Sequence, residues 1–270
     1  MQDNMKDQIK ILVLGDIVGR IARDALRFHL GEIKKEEESD FVIANGENLM
    51  HGSGLNEKTI AEAFGAGIDF LTSGNHLGKD TELGMYAKED LPIIRPANFP
   101  PNVPGYGFRI VKIKDVKVAI INLLGRVFFK MDYDCPFRKF DEIYEQVKEE
   151  AKVILVDFHA EATSEKVAFS WYADGRASAV WGTHTHVPTA DARILPNGTF
   201  CQTDLGMVGA YDSVLGVEKQ GIIDTFLTQI PHAHDIPEKG EVELNGVLLK
   251  ISADAGKVVD FKAVRRVLKT

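Results

Sequence analysis

The sequence predicts an α/β fold, and three observations predict it. Short apolar runs rich in β-branched residues alternate with polar stretches of helical period. The first three runs follow a β-α-β-α-β order, and the C-terminal third is dense in hairpin signals. The opening calls for a mostly parallel sheet covered by helices. The later mixed pairing fits two packed sheets with helices outside, as well as one open sheet. A single domain over residues 1–270 is expected, with residues 1–8 as a flexible N-terminal extension.

Each element follows from its local pattern. "KILVLGD" (10–16) reads as a strand, and "IARDALRFHLGEIKKEEE" (21–38) as a helix with Ala25, Leu26, Leu30 and Ile33 on one side. "DFVIANGEN" (40–48) is a second strand. "NEKTIAEAFGAG" (56–67) is a helix ending in glycine, and "IDFLTSGNH" (68–76) is a third strand. "FRIVKIK" and "VKVAIINLLG" flank Asp115 as a β-hairpin. A helix over 137–151, a strand "VILVDFHA" (153–160), a helix around 164–173 and a strand "ASAVWGTHTH" (177–186) come next. The end holds two more hairpins, one turning at Asn197-Gly198 and one near Ala255-Gly256.

Composition narrows the function classes. The chain is 44% hydrophobic, enough for a substantial core, yet no run of 18 or more apolar residues indicates a membrane span. The start, "MQDNMKDQIK", has no apolar signal-peptide segment, so a cytoplasmic location is expected. Cys135 and Cys201 are the only cysteines; they can form at most one disulfide, and there is no cysteine-rich zinc motif. A net charge of −8 disfavours long nucleic acid but not small anions, because bound metal ions can reverse the local field. The charge run "KKEEESD" (34–40) reads as a solvated helix end.

Five apolar strands end in segments rich in metal-capable residues: "GDIVG" (15–19), "NGENL" (45–49), "SGNHL" (73–77), "DFHAE" (157–161) and "GTHTH" (182–186). In α/β folds the C-terminal strand edge is where ligand sites form. Each segment alone has a bland reading: Asp16 as a cap, Glu47 and Asn48 as turn residues, His76 or His159 as a locally satisfied imidazole. The His-x-His spacing is equally weak by itself. "PHAHDIP" (231–237) has it too, between prolines and without a preceding strand, and reads as a loop. Within them Asp16, Glu47, Asn48, Asn75, His76, His159, His184 and His186 supply two carboxylates, two amides and four imidazoles. That is too many ligands for one tetrahedral zinc and suits two adjacent divalent ions with one histidine to spare. Nitrogen and oxygen ligands without thiolate suit manganese, iron, zinc or magnesium.

With these segments in hand, the chain resembles the calcineurin-like metallophosphoesterases. "LVLGDIVGR", "ANGENLMHGSGL", "TSGNH", "VDFHAEATSEK", "WGTHTHVPTAD" and "LPNGTFCQTDLGMVGAYDSVLG" are similar to their YmdB-type branch, over about residues 9–268. The resemblance implies the metallophosphoesterase fold, two packed mixed β-sheets flanked by helices in an α-β-β-α sandwich. Most calcineurin-like enzymes open with Asp-x-His; here Val18 takes that histidine's place, and Gly46-Glu47-Asn48 replaces a Gly-Asp, both as in the YmdB-type pattern. Gly78, where many relatives carry an aromatic after Gly-Asn-His, alters the expected substrate wall.

The resemblance further implies a first metal on Asp16, Glu47, Asn48 and His186, and a second on Glu47 (bridging), Asn75, His159 and His184. His76 would stay off the metals as the general acid. The implied activity is hydrolysis of small phosphodiesters, with cyclic nucleotides such as 2′,3′-cyclic monophosphates foremost, through attack by a metal-bridging hydroxide. Asp24 or another carboxylate is a candidate to orient a ligand histidine. Two alternatives remain. A phosphomonoesterase could use the same metal pair, drawing on Arg20, Lys79 or Arg126 for charge. A nucleotide-binding regulatory protein would show little turnover. No membrane or long nucleic-acid partner is expected, and homo-oligomerisation is left open.

Overall fold

The computed structural model describes residues 8–50, 52–76 and 82–269. In chain order the first elements are β1 (Gln8–Ile17), α1 (Gly19–Glu36), β2 (Phe41–Asn45), α2 (Glu57–Gly65), β3 (Phe70–Thr72), β4 (Phe108–Ile113), β5 (Val116–Leu124) and α3 (Pro136–Val147). Next come β6 (Val153–His159), α4 (Thr163–Ala173), β7 (Ala179–Thr183), β8 (Arg193–Ile194), β9 (Phe200–Gln202) and β10 (Met207–Ala210). The chain closes with α5 (Lys219–Thr228), β11 (Glu241–Ser252) and β12 (Lys257–Lys269).

Period-two alternation in the strands builds the layers. β1 is apolar on both faces, so both faces must be covered. Ile9, Ile11 and Val13 point one way into a core shared with Val118, Ile120, Leu155, Trp181 and Phe200 of the other sheet. Leu12 and Leu14 point the other way, against Ile21, Leu26 and Leu30 of α1 and Ile60 of α2. A third core buries Phe140 and Ile143 of α3 and Phe169 of α4 on Ile121, Val156 and Phe158. Each such side chain contributes about 1.5–3 kcal/mol of burial. Three cores between four layers make the α-β-β-α sandwich, and they decide between the two packings the sequence allowed.

Both sheets are six-stranded and mixed. The first runs β12-β11-β10-β1-β2-β3, with β1 parallel to β2 and β10 and antiparallel to β11. The second runs β4-β5-β6-β7-β9-β8, with β5, β6, β7 and β9 parallel. The expected hairpins form: β4–β5 closes Ile113 on Val116, β8–β9 turns through Gly198 at φ +94°, and β11 pairs along β12. α2 starts where its sequence says it should. Asn56 accepts from Thr59 N (2.9 Å), and Thr59 Oγ1 accepts from Asn56 N (3.0 Å), a reciprocal cap.

Three expectations are corrected. Gln8 belongs to β1 and pairs with Ser252, so it is no part of an extension; residues 1–7 lie outside the described residues. The strands expected to run to 48, 76 and 186 stop at Asn45, Thr72 and Thr183, so their polar tails are loops. The run 34–40 is not simply solvated. Glu37 is buried and accepts from Lys262 (2.7 Å) and Arg266 (2.8 Å) of β12, while Lys34 donates to Asp69 (3.0 Å). Cys135 and Cys201 are free thiols. No helix among the described residues is long and apolar enough to cross a membrane.

Candidate metal centre

The C-terminal ends of β1, β2, β3, β6 and β7 converge where the two sheets meet, and all eight residues singled out from the sequence come together there. Asp16 lies in β1 and His159 ends β6. Glu47 and Asn48 follow β2, Asn75 and His76 follow β3, and His184 and His186 follow β7.

His159 Nε2 is the hub. It lies 3.1 Å from Glu47 Oε1, 3.1 Å from Asn75 Oδ1 and 3.0 Å from His184 Nδ1. Glu47, His159 and His184 present ligand atoms within 4.8 Å of one another, a group that can hold a metal ion. On the other side, Asn48 Nδ2 lies 3.3 Å from Glu47 Oε1 and 3.2 Å from His186 Nε2. Asp16 Oδ1 is 4.0 Å from His186 Nε2 and 3.9 Å from His159 Nδ1. The Asn48 oxygen faces away, accepting from His76 Nδ1 at 2.9 Å. His76 is 39% exposed, the most open of these histidines, and its Nδ1 stands 3.7 Å from Glu47 Oε1.

Charge in this cavity is unbalanced. Burial pushes Asp16 up to about 7, against the pull of His186 and His159. Glu47 is equally buried, yet it goes the other way. It touches His159 directly, and that charge outweighs desolvation and holds its carboxyl well below the usual range. For His159, burial works downward, but the contact with Glu47, with Asp16 and Asp157 nearby, leaves it raised to about 9. Burial and the His159 charge push His184 down to about 3. One contact thus explains why two neighbouring carboxylates diverge.

Two features fit a cation. Asp16 Oδ2 accepts from His184 N at 3.0 Å, but Asp16 Oδ1 is buried and has no hydrogen-bond partner among the described residues, an orphan whose cost a metal would remove. Gly74 leaves a cradle. A Cβ there would sit 2.1 Å from Glu47 Oε2 and 2.4 Å from His159 Nε2, so only glycine keeps the backbone against the cluster.

The sequence reading missed the residues that hold the candidate ligands in place. Thr183 Oγ1 lies 2.8 Å from His159 Nδ1 and donates to Asp157 Oδ1 at 2.7 Å. Asn45 (3.0 Å) and Thr72 also donate to Asp157, and burial raises its carboxyl. This chain places a proton on His159 Nδ1 and aims Nε2 into the site. Asp204 does the equivalent for the His-x-His loop, accepting from Thr185 N (3.1 Å) and Oγ1 (2.7 Å) and paired with buried Lys166 at 2.8 Å. The available signal was a polar residue inside an apolar run, as in "VILVDFH". Asp24 is not such a partner: it pairs with Arg20 (3.3 Å) and Arg27 (3.5 Å) on α1. The Arg126 backbone N–H donates to Glu165 (3.0 Å) while the residue itself is exposed. Val18 is buried ahead of α1. Gly78 and Lys79 lie outside the described residues.

The sequence profile of the YmdB-like proteins matches residues 12–264. The chain belongs to the YmdB-like family. It is 43% identical over 256 residues to the 2′,3′-cyclic-nucleotide 2′-phosphodiesterase of Bacillus subtilis (strain 168), covering 95% of this chain and 96% of that one. Among solved structures, a hypothetical protein of Thermus thermophilus superposes with a TM-score of 0.88 at 37% identity, covering 96% of this chain and 100% of that one. A novel phosphatase of Mycoplasma pneumoniae superposes at 0.90 with 34% identity, covering 98% and 95%. The YmdB-like match and the four-layer sandwich together establish the metallophosphoesterase fold the sequence implied.

Proposed function

We propose that this chain is a dinuclear-metal phosphodiesterase acting on nucleoside 2′,3′-cyclic phosphates. The observation that carries the reading is the cluster of Glu47, His159 and His184 beside the orphaned Asp16 oxygen. The name of the Bacillus subtilis relative supplies the substrate class. Asp16, Glu47, Asn48 and His186 would hold one ion, with Asn48 turning its oxygen inward. Glu47, Asn75, His159 and His184 would hold the other. Manganese, iron, zinc and magnesium all suit these ligands. Ions bound there would supply positive charge for the phosphoryl oxygens and would lower the pKa of a water.

The chain's own groups do the rest. Glu47 serves both positions because it sits between the histidine pair and Asn48. Thr183 and Asp157 keep His159 in the tautomer that ligates. His76, the exposed imidazole at the rim, gives a proton to the departing oxygen. In the reaction the oxygen of water bonds to phosphorus and the P–O2′ bond breaks. The proton reaches O2′, leaving a 3′-monophosphate.

The test is turnover of 2′,3′-cyclic AMP and bis-p-nitrophenyl phosphate by protein loaded in turn with Mn²⁺, Fe²⁺, Zn²⁺ and Mg²⁺. Absence of cleavage with every metal would end the proposal. His76→Ala should keep its metal and slow diesters with poor leaving groups most, by about 10²–10⁴-fold. Collapse of its metal content instead would remove the acid role. The Mycoplasma relative's description as a phosphatase favours one second reading, monoester hydrolysis at the same site. Faster turnover of mono- than bis-nitrophenyl phosphate would select it.

A further inference from the structure

The segment between β5 and α3 bears exposed apolar side chains, Phe128 and Met131 among them, that belong to none of the three cores. Its two ends are pinned. Gly125 N donates to His159 O (2.9 Å), and Arg126 N and Val127 N donate to Glu165 (3.0 and 3.1 Å). At the far end Asn98, fully buried, donates to Asp134 O (3.0 Å) and Leu124 O (2.7 Å). Between these anchors the chain projects Phe128, 81% exposed, and Met131, 66% exposed. Phe128 holds a left-handed φ of +69°, which a phenylalanine rarely adopts. Apolar groups held out at fixed positions are a normal mark of a binding surface.

Their position says what they face. Phe128, Phe129, Lys130, Met131, Tyr133 and Glu161 line a cavity of about 500 Å³ whose floor is Asn75 and His184 of the candidate metal centre. That size is ordinary for a small-ligand site. The rings form a continuous wall: Phe99 on Tyr133 (5.0 Å between centroids), Tyr133 on Phe129 (6.2 Å) and Phe129 on His184 (5.0 Å). Glu161 anchors the floor, 2.8 Å from His184 Nε2.

We infer that the loop 127–133 is the nucleobase platform of the site, with Phe128 stacking on the base. This rests on the phosphodiesterase reading above and adds the recognition element to it. In a nucleoside 2′,3′-cyclic phosphate, base and phosphate share one furanose, so the base must lie against whatever borders the phosphate. On this side of the site that border is the aromatic wall of Phe128, Phe129 and Tyr133, with Lys130 and Glu161 beside it. Aromatic faces accept any base, because every base has a π-face. The platform therefore selects nucleotides over diesters that lack a base, with little preference among adenine, guanine, cytosine and uracil.

The test compares the Mn²⁺-loaded wild type, Phe128→Ala and Phe128→Tyr on 2′,3′-cyclic AMP and on glycerol 1,2-cyclic phosphate, a five-membered cyclic diester without a base. Phe128→Ala should raise KM for the nucleotide about five- to a hundredfold. The nucleotide-over-glyceryl preference should fall by the same factor, and Phe128→Tyr should restore both. Equal losses on the two diesters, or no loss on either, would overturn the platform. Because Phe128 is so exposed, its removal leaves the core intact. If the wild type turns over neither diester, the phosphodiesterase reading is what fails. The platform is then decided by calorimetric titration with 3′-AMP. At least fivefold weaker binding by Phe128→Ala supports it, and unchanged affinity overturns it.

Discussion

The chain contains His-x-His twice, and the two copies lead different lives. His184 and His186 follow directly on β7, at φ +96° and +64°, both unusual for histidine. Asp204 fastens Thr185 between them, His184 N donates to Asp16, and His186 Nδ1 donates to Leu215 O at 3.0 Å, which points Nε2 inward. His232 and His234 stand exposed in a loop after α5, where His232 N donates to Thr225 Oγ1 at 3.1 Å. Identical spacing thus carries no chemistry. What separates the copies is a strand that delivers one pair to a shared edge and a buried brace that holds its backbone where it would not rest unaided.

The largest effect expected from this contrast is on metal binding. His184→Ala should weaken Mn²⁺ binding at least about a hundredfold, beyond what loss of a supporting residue costs. The double variant His232→Ala/His234→Ala should bind as the wild type does. Equilibrium dialysis reads both, and parity between them would break the comparison. Next comes Gly74→Ala, whose new methyl would enter the cluster. It should lose metal while keeping its circular dichroism spectrum; full occupancy would show that the cradle is roomier than drawn.

The brace itself is the third lever. Asp204→Asn leaves the Lys166 charge buried without its partner, at a cost of about 3–5 kcal/mol. It should also weaken metal about 10–100-fold by loosening Thr185. Adding Lys166→Met should return most of the stability but not the affinity, because only the ion pair, not the clamp on Thr185, is thereby relieved. Chemical denaturation and dialysis separate the two, and joint recovery would mean that the brace only stabilises the fold.

The smallest effect is on pH dependence. In metal-free protein His159 is raised to about 9, so its contribution to stability is full below about 6.5 and is lost as pH rises through 9. Asp16, raised to about 7, acts in the same sense between about 4 and 7, because folding disfavours its charged form. The Tm of protein in EDTA should therefore fall between pH 6.5 and 9.5. Metal affinity should climb over the same window, as the His159 proton is displaced more easily. A flat Tm would mean that Glu47 and His159 are less tightly paired than their 3.1 Å contact implies.

Much of this was legible in the sequence because strands have period two and end in loops. The order of elements through β7 and the convergence of five polar strand ends followed from apolar runs and what terminates them. The short β10 and the shallow helix α5 did not. Met207–Ala210 is only four residues long, and α5 buries no side chain, so neither leaves a strong pattern. The candidate site was legible as a set of metal-capable residue types, but not as a braced structure. Asp157, Thr183 and Asp204 act through contacts between residues 19 or more apart in sequence, as with Thr183 and Asp157 or Thr185 and Asp204, and no local signal specifies such partners. The burial of Glu37 by β12 was hidden for the same reason, since its partners lie at the other end of the chain.

The central claim is that the strand ends of two sheets meet to hold a pair of adjacent divalent ions, with Glu47 shared between them. Its most direct measurement is Mn²⁺ titration followed by elemental analysis and electron paramagnetic resonance, on wild type and Glu47→Gln. The account predicts close to two Mn²⁺ per wild-type chain with an exchange-coupled signal, and loss of that coupling in Glu47→Gln. A single ion per chain, or a coupled pair that survives Glu47→Gln, would contradict it.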